Sequence, residues 1–146
     1  MYGLADWNFL ASALRVSDRR EVKACNQVVV ALVMEAIAVA LVLGLKAGAK
    51  PEKGIEALSG GLAASRVLEV KSEKFLSRDF APGGKVEYHR KDLGIALVAG
   101  REHGAALPAT ALVDQMFGVL MAKGRGGWDH SALFTLIGEW SELGPP

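Results

Sequence analysis

Residues 28–45 read VVVALVMEAIAVALVLGL, an unbroken apolar run whose single charge, Glu35, falls near its middle. A run of that length has two physical solutions: a helix that crosses a bilayer, or the core helix of an α-helical domain. The membrane solution places Glu35 near the bilayer midplane, at a cost of about 2.5–3.5 kcal/mol if it behaves as other charged residues do on insertion scales. Lys23, Asn26 and Gln27 precede the run, and no aromatic belt flanks it. The reading adopted is therefore a long core helix, hydrophobic nearly all round because other helices surround it, with a membrane partner set aside. The first residues, MYGLADWNFLASALRVSDRR, carry no basic segment ahead of an apolar stretch, which argues against a secretory leader.

The rest of the chain has to supply those surrounding helices. At 146 residues there is material for one domain with a substantial buried core. Hydrophobic residues make up 51%, enough to exclude a disordered chain. Lys plus Arg number 17 against 16 Asp plus Glu, a net charge of +1 that lacks the basic excess of a nucleic-acid binder. Cys25 stands alone, so neither an internal disulfide nor a cysteine-rich zinc site can form. It is read as a small buried filler in a protein of the reducing cytoplasm.

Glycine and proline divide the sequence into helices, and strand patterns are weak. The long helix is expected over Arg19–Lys46, with Gly48 beyond its end. Pro51 opens a short helix that Gly60-Gly61 closes. Helices follow over Ala63–Ser77 and Lys85–His103, with Gly104 as the stop, and residues 79–84 form a loop between them. Pro108 begins the next helix, with Leu112, Val113, Met116, Phe117 and Leu120 spaced to face a core. Asp129 is an N-cap for a last helix with Leu133, Leu136, Ile137 and Trp140 on one face, ending before Gly144-Pro145-Pro146. The fold class is all-α: six to seven helices, the first long and central. Residues 1–18 remain unassigned, and 19–146 form the helical domain.

Two polar clusters could carry chemistry. Lys23, Asn26 and Gln27 share one helical face through spacings of three and four. A lysine whose pKa is lowered by burial can serve as a general acid, as hydride transfer to a carbonyl requires; the plain alternative is a solvated first turn. His89-Arg90-Lys91-Asp92 places four polar residues in succession, so some must face inward or lie at a helix end; it reads as an anion contact or as a solvated face. His89, His103 and His130 are scattered without ligand-spaced partners, so no metal site is expected. No Gly-x-Gly-x-x-Gly turn after a strand and no Walker-type loop occurs.

Lys23-Ala24-Cys25-Asn26-Gln27 with the apolar run after it, LSGGLAASRVLEV at 58–70, His89-Arg90-Lys91-Asp92-Leu93 and Asp129-His130-Ser131-Ala132-Leu133 together resemble the β-hydroxyacid dehydrogenase family, over about residues 20–143. The resemblance implies the all-α C-terminal domain of an NAD- or NADP-dependent oxidoreductase that reduces a small 3-oxo acid or oxidises a 3-hydroxy acid. It implies Lys23 as catalytic proton donor, Asn26 and Gln27 as substrate-binding residues, and Lys91 and Asp92 at the cofactor. It implies a homodimer or higher homo-oligomer, with catalysis needing a nucleotide-binding domain in cis or in trans. The alternative is a non-catalytic helical dimerisation module or a gene remnant. Two departures from the family pattern stand out. Ser17-Asp18-Arg19-Arg20-Glu21-Val22 replaces a Gly-x-Gly-Gln lead-in to the lysine, and Gly84 stands eight residues before Asp92, where relatives often carry Phe.

Overall fold

The structure, a computed structural model, describes residues 16–144. Residues 1–15 of the unassigned N-terminal extension, and Pro145-Pro146, lie outside them. Six α-helices follow in order among the described residues: α1 Val16–Lys46, α2 Pro51–Ser59, α3 Arg66–Ser77, α4 Val86–His103, α5 Pro108–Ala122 and α6 Leu133–Trp140, with a 3₁₀ turn at His130–Ala132 before α6. The only β-pairing among the described residues is an isolated antiparallel bridge between Lys85 and Asp129.

The helix ends show why these segments start and stop where they do. α1 begins three residues before the expected Arg19 and ends through Gly48, which adopts a φ of 84° open to glycine. α3 starts at Arg66 rather than Ala63, because Ser65 is extended and its hydroxyl accepts from the Leu68 N–H. α4 starts at Val86 with Lys85 outside it, and Gly104 ends it at a φ of 70°. Pro51 and Pro108 open α2 and α5, where a missing N–H costs nothing.

α1 touches every other helix and the 3₁₀ turn. Its inner side, with Ala31, Met34, Ile37, Ala38, Leu41 and Val42, packs against Leu68 and Phe75 of α3, Leu93 of α4, Val113, Phe117 and Leu120 of α5, and Leu133 and Leu136 of α6. The expectation of a helix enclosed on all sides is corrected here. Only 33% of its apolar window is buried, and Val29, Val39 and Leu43 face outward, Leu43 at 69% exposure. Helices of one domain reach round α1 only part of the way. α1 is also long and apolar enough to cross a membrane by length and composition. Cys25 is exposed, not buried, because it lies on this outer side.

Candidate active site

The polar face of α1 meets α4 at its start. Lys23 and Gln27 lie one turn apart on α1, and both converge on Asp92 of α4. The Lys23 ammonium stands 3.7 Å from Asp92 Oδ1. The Gln27 carboxamide donates to Asp92 Oδ2 at 2.9 Å, and its oxygen accepts from the Asn26 carboxamide at 3.2 Å. The Asp92 side chain is 18% exposed, that of Lys23 60%. A pair so exposed on one side adds little to stability, ~1 kcal/mol at most. Its effect is to aim the ammonium. A shallow depression of about 130 Å³ opens here, lined by Arg20, Lys23, Ala24, Gln27, Asp92 and Ile95.

Three of the five residues singled out from the sequence are thus brought together directly, and Asn26 joins them through Gln27. Lys91 is exposed on α4 beside them. Asp92 engages Lys23 and Gln27 rather than Lys91. Lys23 is largely solvent-exposed, so the burial invoked for it from the sequence is not provided by this domain. A surface ammonium such as that of Lys91 suits contact with an anionic or amide-bearing cofactor approaching from outside the domain. The described residues contain no glycine-rich phosphate turn to hold its pyrophosphate.

Behind this face lies a largely buried polar layer. His89 is 2% exposed and stacks on Phe117 of α5, centroids 5.2 Å apart. Its Nε2 is 3.0 Å from the Gln27 carbonyl oxygen, and its Nδ1 is 2.7 Å from Nδ1 of His130. Burial pushes both imidazoles below the usual histidine range, His130 to about 3, with the neighbouring His89 and Lys71 acting in the same direction on His130. Asp129, fully buried, accepts from Lys71 Nζ at 2.7 Å and from the Gly83 and Gly84 N–H groups at 2.9 Å on one oxygen. On the other oxygen it accepts from the Ser131 N–H and hydroxyl. These bonds outweigh desolvation and hold its carboxyl well below the ordinary carboxylate range. A second cavity of about 280 Å³ lies between the two layers, with Gln27, Gly84, Tyr88, His89, Asp92 and His130 in its wall.

The sequence signalled this layer only in part. Four polar residues in succession at 89–92 required one to turn inward, and that one is His89. Asp129 does cap the turn after it, but its bonds to Lys71, Gly83 and Gly84 join segments far apart in the chain. No local pattern marks them. Gly84 is explained by the same packing: a Cβ there would lie 3.1 Å from His130 Cε1 and 3.3 Å from its Nε2.

Comparison with known proteins places the chain among relatives. The family model described as NAD-binding of NADP-dependent 3-hydroxyisobutyrate dehydrogenase matches residues 20–137. The chain is 43% identical over 120 residues to 2-hydroxy-3-oxopropionate reductase of Escherichia coli (strain K12), covering 82% of this chain and 41% of that protein. It is 40% identical over 123 residues to 2-(hydroxymethyl)glutarate dehydrogenase of Eubacterium barkeri, covering 84% of this chain and 40% of that protein. The crystal structure of 3-hydroxyisobutyrate dehydrogenase from Salmonella typhimurium superposes with a TM-score of 0.75 at 23% identity, over 79% of this chain and 40% of that one. The chain therefore spans about two fifths of the length of these relatives.

Proposed function

The chain belongs to the 3-hydroxyisobutyrate dehydrogenase family of NAD(P)-dependent oxidoreductases, and from that premise we propose that it supplies the proton-donating and substrate-facing part of such an enzyme. The reaction we assign is reduction of a small 3-oxo acid such as tartronate semialdehyde, or oxidation of the matching 3-hydroxy acid. The observation that carries this reading is the convergence of Lys23 and Gln27 on Asp92.

A nicotinamide cofactor, when bound, supplies or accepts the hydride. The chain's own residues act on the oxygen. Lys23 donates a proton to the oxygen as negative charge grows on it, and takes the proton back in the oxidative direction. Asp92 holds the ammonium in place. The Asn26 and Gln27 carboxamides offer donors to the substrate's oxygens, with Gln27 fixed by Asp92. Lys91 meets the cofactor. The pocket closes only when a nucleotide-binding domain, in cis or in trans, covers the exposed face of Lys23; the water it excludes strengthens every charge in the site.

The experiment joins this chain to the nucleotide-binding domain of a relative and measures NAD(P)H oxidation with tartronate semialdehyde. Lys23→Ala is expected to lower turnover by at least ~10²-fold, the lower end of what a general acid contributes, with the helical circular-dichroism spectrum unchanged. Unchanged turnover in that variant would remove Lys23 from the chemistry.

The outward apolar residues of α1 favour a second reading beside the first. Val29, Val39 and Leu43 present a stripe to solvent that we assign to self-association in a cytoplasmic homodimer or higher oligomer. Sedimentation should give at least a dimer, and Leu43→Glu a monomer. A dimer that turns over no substrate once a nucleotide-binding domain is restored would make the chain a helical dimerisation module instead.

A further inference from the structure

The buried imidazoles join the candidate site to the loop that closes the domain. Gln27 O is a helix-interior carbonyl and can only accept, so the proton facing it sits on His89 Nε2. A neutral His89 then offers a bare lone pair at Nδ1. His130 Nδ1, 2.7 Å away, must carry the proton between the rings. That leaves His130 Nε2 bare, and among the described residues it is a buried nitrogen with no hydrogen-bond partner. One proton on each ring, in this order, satisfies both bonds.

An added proton has one place to go, His130 Nε2. No acceptor lies within reach there; Asp129 Oδ1 is 4.0 Å away, and Gly84 covers the ring. The surrounding charges are mixed. Lys71 and Lys74 of α3 oppose a cation at this point, and Asp129 favours it. Asp92 of α4 favours a cation on His89, while α5 contributes only the Phe117 ring. Lys85 and Tyr88 line the adjoining cavity. Hydrating a charged His130 Nε2 requires the 83–84 segment to part from the ring, and that segment is held by its N–H bonds to Asp129.

We propose that His89 and His130 form a neutral imidazole relay that positions Gln27, and through it Asp92 and Lys23, and that acid opens the relay by displacing Gly84. Its importance for catalysis rests on the oxidoreductase reading, but its existence does not.

The test is a long-range proton–nitrogen NMR spectrum of the ¹⁵N-labelled chain. His89 is expected as the Nε2–H tautomer and His130 as the Nδ1–H tautomer near neutral pH, both still uncharged at about pH 6, below the ordinary histidine value of ~6.5. Either ring in the opposite tautomer, or charged at that pH, overturns the relay. Positioning is read separately, as hydrogen exchange of the Gln27 carboxamide. His130→Leu frees the His89 ring that holds the Gln27 backbone carbonyl, and through that carbonyl should loosen the carboxamide's bond to Asp92, speeding its exchange by up to about tenfold, the factor that one hydrogen bond of ~1.4 kcal/mol carries. His130→Asn keeps a donor near the Nδ1 position and should restore slow exchange. Equal exchange in wild type and His130→Leu overturns the positioning role. If His130→Leu does not fold, His130→Asn is compared with His89→Gln, which keeps a donor for Gln27 O but offers His130 no ring nitrogen; there, fast exchange confined to His89→Gln supports the role, and equal exchange overturns it. None of these measurements uses turnover, so failure here leaves the assignment of Lys23 standing.

Discussion

Asp129 is fully buried and accepts five hydrogen bonds from four residues, which makes it the residue whose loss should be felt most. Asp129→Ala would strand the Lys71 ammonium and the Gly83 and Gly84 N–H groups without an acceptor. Breaking such a buried pair costs roughly 3–5 kcal/mol, a large share of the ~5–15 kcal/mol that holds a domain folded. Urea denaturation of the variant should show that loss at unchanged slope. The pH dependence has one sign for all the buried groups. His89 and His130 have lowered folded pKa values, so the unfolded chain binds their protons first as pH falls through ~6.5. Asp129 is likewise lowered, so its contribution, full above the unfolded value of ~3.9, drains away below it. Stability should therefore fall from about pH 6.5 downward, by about 1 kcal/mol per pH unit for each imidazole until its folded value is reached, and further once below pH 4. Melting temperatures across that range check it; a flat profile between pH 7 and 5 would contradict the neutral imidazoles.

Among the elements, α3 illustrates both what sequence patterns reveal and where they stop. The helix itself is plain in RVLEVKSEKFLS, where Val67, Leu68 and Phe75 recur on one side. Its start is decided by one hydroxyl, that of Ser65, which sets it at Arg66 rather than the expected Ala63 and which apolar spacing does not mark. Ser65→Ala should cost about 1 kcal/mol, read as a lower denaturation midpoint. On α1 the apolar run dictates a helix, and the spacing of Lys23, Asn26 and Gln27 dictates a shared face. Which side of the run faces solvent could not be read from it, because apolar residues occur all round; only the placement of α3 to α6 decides that Met34 is buried and Leu43 is not. The same reason explains why Cys25, expected to be buried, is exposed. The partner of Lys23 was also hidden, since Asp92 reaches it across two helices rather than through neighbours in the chain.

At the scale of the whole molecule, α4 and α5 form a hairpin whose base is clasped. Lys85 pairs with Asp129, the Val86 N–H donates to the Trp128 carbonyl at 2.9 Å, and the Glu87 N–H to that of Gly126 at 3.0 Å. The two helices also pack along their length, with Arg90 laid across Gly118, where a Cβ would meet its guanidinium at 3.2 Å. The tip of the hairpin, by contrast, is exposed over residues 101–106. The polypeptide bond at that tip is consequently dispensable to the shape: cut between Ala105 and Ala106, the two pieces would remain one particle, joined by the clasp and by the seam between α4 and α5. Limited proteolysis should give fragments that separate in denaturing gels and travel together in native chromatography. The tip is thus the place where this domain could take in foreign sequence while the distance from Lys23 to Asp92 stays as it is.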